Sequence, residues 1–151
     1  MNITEKISHA AERKAFETVL DSMLKKAQTP HVGGCVAGGR IYCHINAAGD
    51  VEPCVFIHYS GANIREKSFL ECLQQPLFKL YRKGQPFNGN HLRPCPMLEN
   101  PELLPKMVAD SGAHSTDLEA PESAEHLCAK CKESAAHWKP QAEKLWEADH
   151  S

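Results

Sequence analysis

The sequence has no basic excess. Seventeen lysines and arginines against nineteen aspartates and glutamates leave a formal charge of −2 over 151 residues, so there is no positive field of the kind that draws a chain onto nucleic acid. It has no apolar run near the ~20 residues needed to span a bilayer. Residues 1–30 are charged and helix-like and lack the apolar stretch of a secretory signal. A cytoplasmic protein is expected, with neither nucleic acid nor a membrane as its partner. Also missing are the Gly-x-x-x-x-Gly-Lys-Ser/Thr and Gly-x-Gly-x-x-Gly phosphate loops, the His-Glu-x-x-His metal helix and the Gly-x-Ser-x-Gly elbow. No cysteine meets a histidine and a carboxylate at a recognisable nucleophile spacing.

What the sequence does have is cysteine, seven in all. In a reducing cytosol these read as ligands or buried thiols rather than disulfides, and the odd count agrees. At this length the chain is one domain, or one domain with an appendage, whose modest core a metal staple would help. The organising stretch is Cys35 to Cys54. Ile41, Cys43 and Ile45 alternate with Tyr42, His44 and Asn46 in the period of a half-buried strand. Ala47-Ala48-Gly49-Asp50 makes the turn, and Val51 to Phe56 returns. A hairpin of this kind brings Cys35 and Cys54 together.

The fold class that follows is α+β: a small β-hairpin region, then short helices around a metal cluster, with an N-terminal amphipathic helix in front. That helix, over residues 1–30, is expected from Asn2 and Glu5 as its cap and the apolar stripe Ile7, Ala11, Phe16, Val19, Leu20, Met23, Leu24 and Ala27. Residues 31–151 form the cluster-binding domain. Ser68 and Glu71 make a capping-box pair for a helix starting near Phe69, with Phe69, Leu70 and Leu73 as its apolar face. Pro76 starts a second helix that Gly84 ends. Residues 85–100 read as loop. A helix starting between Pro101 and Pro105 ends at Gly112. Residues 111–123 read as polar linker, and from Glu122 the chain is helical again until Pro140 interrupts it.

Five cysteines carry the candidate site: Cys35, Cys54, Cys95, Cys128 and Cys131. A cube of four irons takes four thiolates from backbone held in fixed places. The hairpin supplies two such places and Cys128-Ala129-Lys130-Cys131 two more. Cys95 lies between Pro94 and Pro96, which stiffen its loop. Five candidates compete for four positions, and spacing leaves both a closed zinc site and an iron–sulfur cluster open. Cys43 and Cys72 fall on apolar faces and read as small buried hydrophobes. The nine histidines form no metal-binding pair; His126 is near enough to Cys128 to ligate or to hydrogen-bond a sulfur. His58 and Arg40 flank the hairpin as candidate donors around a cluster. Gly33, Gly34, Gly38 and Gly39 surround Cys35 and fit either close approach to a bulky inorganic group or tight turns.

Cys35, thirteen residues, Gly49, four residues and Cys54 resemble the opening of the SPASM and twitch domains, auxiliary iron–sulfur domains at the C-terminus of many radical SAM enzymes. Gly-Asp-Val-Glu-Pro-Cys, Gly-Ala-Asn-Ile-Arg-Glu-Lys-Ser, Arg-Pro-Cys-Pro-Met-Leu-Glu-Asn-Pro and His-Leu-Cys-Ala-Lys-Cys extend the likeness over residues 31–146. The resemblance favours iron–sulfur over zinc. It implies a [4Fe–4S] cluster, with Cys35 and Cys54 among its ligands, and a role in electron transfer or substrate positioning. Too few thiols remain for two clusters, so one, as in twitch domains, is expected. The Cys-x3-Cys-x2-Cys run that holds S-adenosylmethionine is missing, since no two cysteines are four apart. By itself the chain is therefore not expected to be an enzyme. It reads as a stand-alone module or a fragment, with a radical SAM enzyme or a redox protein as partner. A structural zinc domain that mediates protein contacts is the alternative.

Overall fold

The hairpin is shorter than its alternation predicts. In the computed structural model, which describes residues 33–151, β1 (His44–Ile45) pairs antiparallel with β2 (Val51–Glu52), placing His44 opposite Glu52 and Ile45 opposite Val51. The expected N-terminal helix lies outside the described residues. Asn46 closes the turn: its N–H donates to the Asp50 carbonyl at 3.1 Å, and its Oδ1 accepts from the Asp50 N–H at 2.9 Å. The return strand stops at Pro53, which has no N–H to offer a ladder.

The alternation also points the wrong way. Ile41 is 70% exposed and Ile45 40%, whereas Val51 and Glu52 on the return strand are both buried. No second layer covers the outer side of β1 among the described residues. The isoleucines line an open groove of about 310 Å³ with Phe69 and Leu73.

A second strand pair follows. β3 (Tyr59–Ser60) runs antiparallel to β4 (His114–Ser115), with Tyr59 opposite Ser115 and Ser60 opposite His114. Residues 111–123, expected as linker, thus close a sheet. Two residues are too few to show a period, so the polar sequence hid the strand. Ser60 is buried and satisfied: its hydroxyl donates to the Val51 carbonyl at 2.7 Å and accepts from the Ala62 N–H at 3.1 Å.

The helices are α1 (Phe69–Cys72), α2 (Pro76–Lys83), α3 (Leu103–Ser111), α4 (Ala124–Ala129) and α5 (Lys132–Asp149). The Ser68–Glu71 capping box forms, each side chain meeting the other's backbone N–H, a cap worth about 1 kcal/mol. α2 opens on Pro76 and turns Leu77, Phe78 and Tyr81 inward. α3 starts at Leu103, whose N–H donates to the Asn100 carbonyl at 3.0 Å. Pro105 fits there because first-turn N–H groups have no partner in the helix. Gly112 ends α3 in the left-handed conformation at φ +67°. Pro140 does not end α5, which runs on to Asp149. The carbonyl it strands, that of Ala136, sits on an exposed face where water can meet it.

The main core joins Cys54, Ile57 and Tyr59 to Leu77 and Tyr81 of α2, Leu104 and Met107 of α3, and Ala124 and Cys128 of α4. A smaller cluster holds Val51, Ala62, Cys72 and Phe78, with Cys43 packed against it. Among the described residues no helix is long and apolar enough to cross a membrane.

Candidate metal centre

Two of the candidate cysteines each follow a proline, Pro53-Cys54 and Pro94-Cys95. The Leu98 N–H donates to Cys95 Sγ at 3.4 Å. Burial raises the Cys54 thiol, and the backbone N–H groups of Phe56 and Ile57 oppose the rise. Backbone donors aimed at sulfur stabilise thiolate, the form that binds metal. The Cys54 turn is closed by Ile57 N–H donating to the Cys54 carbonyl at 3.3 Å. The Cys95 turn is held by Glu99, whose Oε2 accepts from the Cys95 N–H at 2.7 Å, and by Asn100, whose Nδ2 donates to the Cys95 carbonyl at 3.0 Å.

Cys35 is fixed differently. Its N–H donates to Gln85 Oε1 at 3.0 Å, and its carbonyl accepts from Arg40 Nη1 at 2.6 Å. Arg40 therefore clamps the Cys35 backbone. His58, the other expected donor, turns instead to Glu52, with Nδ1 at 3.4 Å from Oε2. The Gly38 N–H donates to the Pro53 carbonyl at 3.1 Å and ties the Cys35 loop to the Cys54 turn.

The glycines beside Cys35 make room for side chains. A Cβ on Gly38 would stand 2.6 Å from the Tyr81 ring and one on Gly39 2.8 Å from the Phe78 ring, while at Gly33 and Gly34 it would strike His91 and Gln85. Of the two readings of these glycines, tight turns hold at Gly38 and Gly39, both at positive φ in the turn over residues 37–40; what comes close to them is α2 and its following loop.

Tyr81 marks the centre. It is fully buried, and its hydroxyl stands 3.9 Å from Cys35 Sγ. Burial, and then the fields of Cys35, Cys95 and Cys54, push its ionisation far above the ordinary tyrosine value. Tyr42 feels burial and then Cys54, Cys35 and Cys95 in the same direction. The fields of three candidate sulfurs from distant parts of the chain therefore reach both phenols.

Cys128 and Cys131 come from the junction of α4 and α5, where the Cys131 N–H donates to the Cys128 carbonyl at 3.0 Å. Burial, then Cys131 and Cys95, push the Cys128 thiol to about 12. Burial pushes Cys95 to about 11, with Cys35 adding to the rise and the N–H groups of Leu98 and Met97 opposing it. Cys95 thus lies within the field of both the Cys35 side and the Cys128 side. His126 turns its Nδ1 to Glu122, 2.7 Å from Oε2. Cys43 and Cys72 lie with the smaller core cluster.

Residues 35–97 match the SPASM family of iron–sulfur cluster-binding domains. The match associates this segment with iron–sulfur binding. No curated protein and no solved structure matches the chain. The SPASM segment contains Cys35, Cys54 and Cys95; Cys128 and Cys131 lie beyond it.

The side chains suit the SPASM assignment. Among the described residues no group of three or more His, Cys, Asp or Glu side chains is gathered to hold a single ion. Gln85 Nε2 is moreover buried without a hydrogen-bond partner among the described residues, on the same amide whose oxygen holds Cys35. A buried amide donor left unpaired costs about 1–3 kcal/mol, so it wants an acceptor beside Cys35.

Sequence reading singled out the five cysteines and gave no role to Tyr42, Tyr81 or Gln85. Tyr81 falls on the apolar face of α2 and reads as core. Gln85 falls in a proline-rich loop and reads as surface. Neither carries a local signal for a role beside sulfur.

Proposed function

We propose that this domain binds one [4Fe–4S] cluster through four of the five thiolates of Cys35, Cys54, Cys95, Cys128 and Cys131. We further propose that it serves electron transfer or substrate positioning for a radical SAM enzyme in the cytoplasm. The observation that carries the reading is the SPASM match over Cys35, Cys54 and Cys95, three thiols whose fields all reach the buried Tyr81. A bound cluster would supply one-electron chemistry. The protein's part is to hold the thiolates in place, to donate hydrogen bonds to them, and to keep water off Cys54 and Cys128, both buried.

The test is anaerobic reconstitution with iron and sulfide. A brown protein with about four irons and four sulfides per chain supports the reading. Colourless protein holding one zinc, and taking up no iron under these conditions, overturns it. The partner is tested separately, by mixing loaded protein with a reduced radical SAM enzyme and following bleaching or recovery of the cluster absorption.

A further inference from the structure

We propose that Tyr81 and Gln85 form a pair of hydrogen-bond donors to the Cys35 corner of the cluster and set how readily that cluster accepts an electron. The inference rests on the iron–sulfur reading above and assigns its positioning residues.

Three observations carry it. Tyr81 is fully buried, and its hydroxyl faces Cys35 Sγ at 3.9 Å, its only hydrogen-bond contact among the described residues. With a free thiol either atom could donate. A sulfur bound to iron has no proton, so the phenol must then be the donor. Gln85 is oriented by its oxygen, which accepts from the Cys35 N–H at 3.0 Å. That bond fixes which end of the amide is nitrogen, so the unpaired buried atom is a donor. The two residues converge on Cys35 from α2 and the turn just after it, and Gly34 and Gly38 have no Cβ to block them.

Donors to a ligating thiolate favour the more negative, reduced state of a cluster. Removing either donor should make the reduction potential more negative. The experiment compares wild type, Tyr81→Phe and Gln85→Met, each reconstituted anaerobically, with iron and sulfide analysis followed by a spectroelectrochemical titration. Tyr81→Phe keeps the ring that packs on Gly38 and removes one oxygen. The expected result is wild-type iron and sulfide content with a more negative midpoint in both variants.

Fully loaded variants that keep the wild-type midpoint overturn this inference and leave the iron–sulfur reading intact. A wild-type chain that takes up no iron and sulfide overturns that reading and this inference together. Should Tyr81→Phe fail to fold, Gln85→Met decides by the same midpoint comparison.

Discussion

Thr116 Oγ1 donates to Glu52 Oε1 at 2.5 Å, across 64 residues of sequence. Both residues are buried. The same carboxyl group meets His44 Nδ1 at 2.7 Å, Asn46 Nδ2 at 3.2 Å and His58 Nδ1 at 3.4 Å. Glu52 thus fastens the hairpin to the segment that leads into α4 and its cysteines. Thr116→Val should destabilise the metal-free protein by about 1–3 kcal/mol, because a buried acceptor loses a donor and gains nothing. Thr116→Ser keeps the hydroxyl and should stay within about 1 kcal/mol of wild type. Urea unfolding measures both, and a valine variant as stable as wild type would show that Glu52 does not need this bond.

This node also shows where sequence reading ends. The capping box at Ser68, the proline start of α2 and the glycine stop of α3 were legible because each is a local rule over three or four residues. Cys35 and Cys54 were expected together on the strength of a hairpin, which is local as well; what ties their segments is the Gly38 N–H on the Pro53 carbonyl at 3.1 Å. Glu52 was not. Nothing around a glutamate two residues before a cysteine announces that it will be buried by a threonine 64 residues later. The strand at His114–Ser115 stayed hidden for the same reason, since it exists only through Tyr59 and Ser60. The isoleucines of β1 misled because alternation reports a face and not whether anything covers it.

The thiols divide by what removing each should do. Cys72 is fully buried in the smaller core, with Cys43 packed against that cluster. Cys72→Ser places a hydroxyl among Val51, Ala62 and Phe78 and should cost about 1–3 kcal/mol of stability, with iron and sulfide uptake unchanged. Cys54→Ser and Cys95→Ser should do the reverse to loading and lose most of the bound iron. Iron analysis paired with thermal unfolding separates the two classes. A Cys72→Ser protein that folds and binds no iron would move Cys72 into the ligand set.

Gly38 has φ +65°, and a Cβ there would stand 2.6 Å from Tyr81. Gly38→Ala therefore meets two penalties, a left-handed backbone worth about 1–2 kcal/mol and displacement of a ring packed without slack. The variant should be less stable than wild type by at least about 2 kcal/mol. Because Tyr81 must move, its hydroxyl should leave Cys35, and any cluster the variant holds should share the more negative midpoint of Tyr81→Phe. An alanine variant with wild-type stability would mean that the loop relaxes freely.

The metal-free fold should weaken in alkali, and the sign follows from three acids whose ionisation burial raises. Burial first, then neighbouring thiols, pushes Cys128 to about 12, and burial pushes Cys95 to about 11. Tyr59, whose hydroxyl donates to the Glu122 carbonyl at 2.8 Å, is pushed to about 12 by burial and then by Glu122. In the unfolded chain thiols ionise near ~8.5 and tyrosine near ~10. Between those values and the folded ones the unfolded state has released protons that the folded state still holds, so unfolding gains as pH rises. The stability these groups contribute is complete below about pH 8.5 and falls from there through about pH 11 to 12. Iron reverses the logic at the thiols, since it binds the deprotonated sulfur and releases the proton. Urea midpoints of metal-free protein should therefore decline steadily from about pH 8.5 upward, and loaded protein should decline less over the same range. Cys128→Ala should flatten the metal-free curve. Equal slopes for metal-free and loaded protein would place Cys95 and Cys128 outside the metal site, whatever their burial.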